Sequence, residues 1–169
     1  KVTGVQTCAL PIYSHAILSD MVNPPLTSSS VLRMGVAGAG AWGTALALAG
    51  RRAGLDVVLW ARHAAQAVPM ARSRRNSRYL PDVEIAEGIQ ITSDLGDLTG
   101  VDVLLAACPA QVLRGVLQTL PGTGPVLICA KGIERGTGLL MNEVFEQVLP
   151  GRAFGILSGP GFAADVARG

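Results

Sequence analysis

Short apolar runs alternate with longer amphipathic stretches along most of this chain, from Met34 onward. The apolar runs are only a few residues long, as expected for strands that are buried on both faces of a parallel sheet. The stretches between them carry apolar residues at helical spacing, most clearly over 111–120 and 139–149. This alternation predicts an α/β domain with a Rossmann-type, doubly wound parallel sheet. Six runs are predicted strands: 34–37, 56–60, 89–92, 101–107, 126–130 and 154–157.

A ligand of such a sheet is expected at one edge, because doubly wound sheets bind their ligands outside the carboxyl ends of the strands. The candidate site therefore consists of the segments that directly follow predicted strands. The last of these segments leads into a further helix, predicted to begin near Phe162. The segments are 38–43, 61–63, 108–111, 131–134 and 158–163.

Three glycines follow the first predicted strand at the spacing G-x-G-x-x-G: Gly38, Gly40 and Gly43. An alanine- and leucine-rich helix and the second strand come next, so the glycines lie at the first turn of a βαβ unit. There, the first glycine permits a tight turn, the second lets backbone N–H groups approach a pyrophosphate, and the third lets helix and strand pack closely. The positive end of the helix also favours an anion. The motif in this setting predicts a dinucleotide site.

The residues after the second strand indicate which dinucleotide binds. Sheets of this type that prefer NAD usually place an Asp or Glu there, which binds the ribose 2′-hydroxyl. This chain has no acidic residue between Asp56 and Asp82 and has Arg62 beside the strand end instead. A guanidinium can form a bidentate pair with a 2′-phosphate. We therefore expect NADP to bind, with NAD as the alternative cofactor, and we interpret the arginines within 72–78 as a solvated basic loop.

Composition argues against several classes of function. A net charge of +2 over 169 residues predicts no basic surface for nucleic acid, and no apolar stretch has the length and uniformity of a membrane span. Three scattered cysteines, Cys8, Cys108 and Cys129, predict neither a disulfide framework nor a zinc site. We therefore expect no nucleic-acid, membrane or metal partner, and a reducing cytoplasm as the compartment.

The first 33 residues do not share the strand–helix pattern. Residues 2–12 resemble the translation of a widely used sequencing-library adapter, and 13–33 sustain no helical or strand period. We therefore expect 1–33 to be an irregular, adapter-derived extension, with the natural start at Met34. The last residue, Gly169, falls inside an expected helix. We therefore expect a fragment, in which 34–169 form the dinucleotide-binding domain.

Five segments resemble the bacterial NAD(P)-dependent glycerol-3-phosphate dehydrogenases, in that family's order and spacing. This resemblance runs from Met34 to Gly169 and is far more specific than the glycine motif. It implies interconversion of sn-glycerol 3-phosphate and dihydroxyacetone phosphate by hydride transfer, which supplies glycerophospholipid synthesis, in a cytoplasmic enzyme that could form a homodimer. The segments are G-A-G-A-W-G-T-A-L-A, L-W-A-R, N-S-R-Y-L-P, A-K-G-I-E-R-G-T and L-S-G-P-G-F-A-A-D-V.

The resemblance also implies roles for individual residues. Lys131 is expected to contact cofactor and substrate, and it is the only lysine after Lys1, directly following the fifth predicted strand. A surface lysine without a role is the alternative interpretation. Gly159 and Gly161 are expected to contact the substrate. The implied cofactor residues are Gly38, Gly40, Ala41, Trp42, Gly43, Arg62, His63, Lys131 and Ala163.

The chain departs from this family at two positions. The family usually has Ser or Thr at Gly161 and Ser at Ala41, so a hydroxyl contact is lost at each. The resemblance also implies that the general acid/base is a lysine of a helical C-terminal domain, beyond Gly169, which Lys131 does not replace. We therefore expect this chain to bind cofactor but scarcely to catalyse. Two other interpretations remain: another two-domain dehydrogenase, of the ketopantoate reductase or 6-phosphogluconate dehydrogenase type, and a non-catalytic NAD(P)-binding sensor.

Overall fold

The computed structural model describes residues 31–159 and 161–169, so nearly all of the predicted 1–33 extension lies outside the described residues. Among the described residues, the first strand begins at Arg33, one residue before the predicted start. The strands are β1 Arg33–Ala37, β2 Asp56–Trp60, β3 Arg75–Asn76, β4 Leu80–Glu84, β5 Ile89–Thr92, β6 Val103–Ala106, β7 Val126–Ile128 and β8 Phe154–Ile156. The α-helices are α1 Ala41–Arg52, α2 Ala64–Ser73, α3 Ala110–Leu117, α4 Met141–Val148 and α5 Ala163–Arg168, with a 3₁₀ turn at Leu95–Leu98.

Six strands form one sheet in the order β5-β2-β1-β6-β7-β8, and every neighbouring pair is parallel. When the six strands of this sheet are numbered in chain order, they lie in the order 3-2-1-4-5-6, which is that of the dinucleotide-binding Rossmann fold. Strand β1 is central, and Val36 pairs with Leu59 on one side and Leu105 on the other. The predicted doubly wound α/β fold is confirmed.

Helices cover both faces of the sheet, which is why the central strands are apolar at nearly every position. Val57 and Leu59 face a core built with α1, α2 and α5, whereas Val58 and Trp60 face a second core built with α3 and α4. These alternating side chains of β2 are almost fully buried. Within residues 31–159 and 161–169, no helix has the length and apolar character needed to cross a membrane.

An antiparallel hairpin of β3 and β4 follows α2 and was not predicted from the sequence. Helix α2 ends at Arg74, which adopts the left-handed conformation with φ 51° and ψ 35°. The Arg74 guanidinium donates to the carbonyl oxygens of Ile85, Ala86 and Ile89, and only 17% of its side chain is exposed. The interpretation of 72–78 as a solvated loop is therefore wrong for Arg74, which holds the hairpin to the sheet.

Candidate dinucleotide-binding site

A cleft of about 680 Å³ opens at the carboxyl ends of the central strands. All five of the segments predicted to form the site contribute residues to its lining. Gly43 is buried behind the glycine-rich loop, and Ala163 begins α5 against the core. The predicted site residues that line the cleft are Gly38, Gly40, Ala41, Trp42, Arg62, His63, Lys131, Gly159 and Gly161.

The three motif glycines have different steric surroundings. A Cβ at Gly38, where φ is +126°, would lie 2.5 Å from the carbonyl oxygen of Ala107, and a Cβ at Gly43 would lie 1.8 Å from that of Gly38. Both positions therefore require glycine for internal packing. A Cβ at Gly40 would meet no heavy atom of the described chain within 4 Å. The space beside Gly40 is thus open to a ligand, as the predicted pyrophosphate requires.

The start of α1 supplies hydrogen-bond donors at this opening. Gly40 is the N-cap residue, and its carbonyl oxygen accepts the N–H of Thr44 at 3.0 Å. The N–H groups of residues 41–43 precede this bond and have no partner within the helix. The first turn, all of which the structure describes, carries no acidic side chain. This helix end therefore suits an anionic group.

Arg62 and His63 lie where β2 leaves the sheet, at the rim of the cleft. Both are exposed, and His63 is the N-cap residue of α2. Tyr79, from the unpredicted hairpin, also lines the cleft, and the Arg78 guanidinium carbon lies 5.1 Å from the centre of its ring. Tyr79 belongs to the N-S-R-Y-L-P segment, so the family resemblance already marked the region without identifying this side chain.

Lys131 lies on the opposite side of the cleft from Arg62, in the loop that joins β7 to α4. Its Nζ donates a hydrogen bond to the carbonyl oxygen of Gly159 at 3.0 Å. The structure thereby brings together two of the residues predicted to contact substrate. Gly161 lines the same cleft and is exposed. The loop turns at Gly132, whose φ is +138°.

Side chains of α3 fix the loop that carries Lys131. The Arg114 guanidinium donates to both carboxylate oxygens of Glu134, at 2.9 and 2.8 Å, and Thr137 donates to the same carboxylate at 2.7 Å. These hydrogen bonds hold the pKa of Glu134 at about 2, well below its ordinary value of 4.5. Gln111 donates to the Ile133 carbonyl at 2.9 Å. The sequence offered no signal for this network, because its members are separated by about twenty residues.

The two cysteines of the described chain both line the cleft at the ends of β6 and β7. Burial raises the pKa of the Cys108 thiol to about 11 and that of Cys129 to about 12, the latter with a contribution from the nearby Cys108. Both thiols are therefore protonated at neutral pH and unsuited to act as nucleophiles. Each is a small buried residue of one of the two cores that flank the sheet.

A parallel sheet of this strand order, with a glycine-rich turn at its first crossover, defines the class of dinucleotide-binding Rossmann domains. Over residues 33–169 the chain matches the family described as NAD-dependent glycerol-3-phosphate dehydrogenase N-terminus. The chain belongs to the glycerol-3-phosphate dehydrogenase family and corresponds to its N-terminal, NAD-binding domain. This membership sets aside the ketopantoate reductase and 6-phosphogluconate dehydrogenase interpretations.

Individual relatives agree with this assignment. A glycerol-3-phosphate dehydrogenase [NAD(P)+] of Methylobacterium radiotolerans is 51% identical over 139 residues, which are 79% of this chain and 42% of the relative. The Brucella canis enzyme of that name is 46% identical over 142 residues, which are 81% of this chain and 44% of that enzyme. The crystal structure of glycerol-3-phosphate dehydrogenase from Coxiella burnetii superimposes with a TM-score of 0.74 at 30% identity. The superposition covers 82% of this chain and 44% of the Coxiella chain. The chain thus spans less than half the length of these relatives.

Proposed function

We propose that this chain binds NADP(H), or alternatively NAD(H), as the cofactor domain of an enzyme that interconverts sn-glycerol 3-phosphate and dihydroxyacetone phosphate. The observation that carries the proposal is the convergence of the open glycine-rich loop, Arg62 and Lys131 on one cleft. The loop and helix end suit a pyrophosphate, and the two cations suit further phosphate groups. The reaction would supply glycerophospholipid synthesis, as the family resemblance implies.

The cofactor would be held mainly by the first crossover of the sheet. We assign the pyrophosphate to the backbone N–H groups from Gly40 to Gly43, with Gly38 shaping the turn. Arg62 would bind the 2′-phosphate of NADP, and Ala41, Trp42, His63 and Ala163 would complete the contacts that the family resemblance implies. When bound, the nicotinamide ring supplies or accepts the hydride.

The substrate would lie on the Lys131 side of the cleft. The Lys131 ammonium is suited to a substrate phosphate or to the oxygen that gains charge during hydride transfer. Its present partner, the Gly159 carbonyl, is neutral, so an anionic group can compete for the ammonium. Gly159 and Gly161 would contribute backbone contacts, and the serine or threonine hydroxyl usual at position 161 is absent from this chain.

We propose a cytoplasmic location and a homodimer for the full-length enzyme. The location is supported by Cys108 and Cys129, which are free thiols and suit a reducing compartment. The homodimer rests on the family resemblance, and light scattering of the full-length enzyme tests it.

The reaction is tested with a chimera in which this chain is joined to the remaining part of the Methylobacterium radiotolerans relative. We expect NADPH oxidation that depends on dihydroxyacetone phosphate. Lys131→Ala should lower kcat/KM by roughly a hundredfold or more, because a cation held against developing charge in a closed site is worth several kcal/mol. Arg135→Ala, which removes an exposed cation from the same loop, is the matched control.

Two results would contradict the proposal. A Lys131→Ala chimera as active as the Arg135→Ala control would show that Lys131 is a surface lysine without a role in the reaction. A chimera that binds NADPH but leaves dihydroxyacetone phosphate unchanged would favour the non-catalytic sensor.

A further inference from the structure

Two buried polar side chains lie behind the glycine-rich loop and are bonded to each other. Thr44 and Asn76 are each 1% exposed, in a core that is otherwise apolar among residues 31–159 and 161–169. The Asn76 side-chain amide uses both hydrogens: one is donated to Thr44 Oγ1 at 2.8 Å and the other to the Ala39 carbonyl oxygen at 3.1 Å. A buried polar pair opposes folding unless its hydrogen bonds are made. The partners that make these bonds therefore show which part of the chain the pair holds.

The hydrogen bonds converge on two successive carbonyl groups of the glycine-rich loop. The Ala39 oxygen accepts from Asn76 and also from Gln66 Nε2, at 2.6 Å. The next carbonyl, that of Gly40, accepts from the Thr44 hydroxyl at 2.8 Å and from the Thr44 N–H at 3.0 Å. Each carbonyl oxygen of the loop tip therefore accepts two hydrogen bonds from the protein itself.

A trans peptide group is planar, and its N–H points opposite to its carbonyl oxygen. The Ala39 oxygen is held toward Asn76 and Gln66, so the Gly40 N–H of the same peptide group points away from these two side chains. The Gly40 oxygen is held toward Thr44, so the Ala41 N–H points away from Thr44. Gly40 and Ala41 both line the cleft. We propose that Asn76, Gln66 and Thr44 are positioning residues, which orient the loop peptides so that the Gly40 and Ala41 N–H groups face the pyrophosphate.

Side-chain packing does not restrain the loop tip, because the residue there is Gly40. A Cβ at Gly40 would meet no heavy atom of the described chain within 4 Å, so there is open space beside this residue. Glycine also has the widest backbone freedom of any residue. Hydrogen bonds to the two carbonyls are therefore the restraint that acts on the tip itself, and we expect their removal to affect pyrophosphate binding more than the rest of the site.

The inference rests on the proposed cofactor function and is tested on the full chain with two ligands. NADPH contains the pyrophosphate, whereas adenosine 2′-monophosphate keeps the adenosine and 2′-phosphate without it. Asn76→Leu removes both amide donors at similar volume. We expect its NADPH dissociation constant to rise roughly tenfold, the size of effect expected when a buried acceptor loses its partner. Adenosine 2′-monophosphate should bind Asn76→Leu and the parent chain alike, within about twofold.

Three further variants separate positioning from folding. Thr44→Val removes the shared hydroxyl and should weaken NADPH binding in the same direction, while Thr44→Ser keeps the hydroxyl and should restore it. Asn142→Leu makes the same side-chain change on α4 and should leave both ligands unaffected. Thermal unfolding of each variant shows whether it is folded during titration, and Thr44→Val carries the test if Asn76→Leu is not.

Each outcome assigns the failure to one of the two proposals. Unchanged NADPH affinity in folded Asn76→Leu and Thr44→Val would overturn the positioning role alone. Equal losses for NADPH and adenosine 2′-monophosphate would also overturn it, because general damage to the cleft would then explain the effect. Failure of the parent chain to bind NADPH at all would overturn the cofactor function, and this inference with it.

Discussion

The two sides of the cleft are held in place by different forces. The glycine-rich loop is restrained by close backbone packing at Gly38 and Gly43 and by hydrogen bonds from uncharged, mostly buried side chains. The Lys131 loop is restrained by a carboxylate–guanidinium pair between Glu134 and Arg114. Steric packing and neutral hydrogen bonds do not respond to pH, whereas an ion pair responds to both pH and salt.

The two sides of the cleft suit two different tasks, binding the cofactor and contacting the substrate. In the proposed function, the cofactor side needs N–H groups at fixed positions, which close packing at Gly38 and Gly43 and hydrogen bonds to the Ala39 and Gly40 carbonyls provide together. In the proposed reaction, the Lys131 ammonium exchanges the Gly159 carbonyl for a substrate group. Side-chain contacts from Gln111 and Arg114 anchor the loop and leave Lys131 exposed. We therefore expect substitutions on the cofactor side to affect folding or dinucleotide affinity, and substitutions in the ionic network to act modestly and with a dependence on pH.

The largest expected effect is on stability, from Gly43→Ala. The new methyl group would lie 1.8 Å from the Gly38 carbonyl oxygen, so helix and strand must separate. We expect a loss of about 3 kcal/mol or more in the free energy of unfolding, the upper end of the range for overpacking. Gly115→Ala on α3 is the control, because its Cβ position is open, and it should be neutral or stabilising by up to about 1 kcal/mol. Urea unfolding measures both, and equal stabilities would contradict the packing role of Gly43.

The next effect concerns cofactor choice, through Arg62→Asp. The substitution removes the proposed 2′-phosphate partner and introduces a repelling charge. NADPH binding should weaken by about 1.5–3 kcal/mol, the value of a charge-assisted hydrogen bond, and NADH binding should change far less. Arg72→Asp makes the same charge change on an exposed residue of α2 and should affect neither strongly. Fluorescence titration that finds equal losses of NADPH and NADH would show that Arg62 does not bind the 2′-phosphate.

The smallest effect, and the one specific to the Lys131 side, is the pH dependence of Glu134→Gln. The folded-state pKa of Glu134 is about 2, below its ordinary value of 4.5. The carboxylate therefore stabilises the fold above about pH 5, and this contribution disappears as the pH falls from 4.5 toward 2. Glu134→Gln should unfold at lower urea than the parent chain at pH 7, with a smaller difference at pH 3. Glu146→Gln on α4 is the exposed control. A difference independent of pH would contradict the ionic account.

Most of the sheet could be predicted because strands buried on both faces are short, nearly continuous apolar runs in the sequence. Strands β2 and β5 were predicted with their observed bounds, and the other four sheet strands differ by at most two residues at an end. The hairpin of β3 and β4 was missed because β3 has only two residues and β4 contains Pro81. Its position depends on the Arg74 side chain, a tertiary contact that no local pattern encodes.

The site could be predicted where its residues follow strands and not where they act from a distance. Gly40, Arg62 and Lys131 each come directly after a strand, so topology alone brings them to one edge of the sheet. Asn76 and Gln66 support the loop from a hairpin and a helix 37 and 27 residues from Ala39 in the chain. Such contacts depend on the packing of whole elements. The family resemblance marked the segment that begins at Asn76, but nothing in the sequence assigned the Asn76 or Gln66 side chain to the loop.

The central claim is that the first crossover of this sheet binds the dinucleotide through its backbone, and amide chemical shifts measured during an NADPH titration test it most directly. We predict saturable shifts that are largest at Gly40, Ala41 and Arg62. Gly136, which is not among the residues that line the cleft, serves as an unperturbed internal reference. Saturable shifts that spare Gly40 and Ala41 and fall elsewhere in the chain would contradict the account.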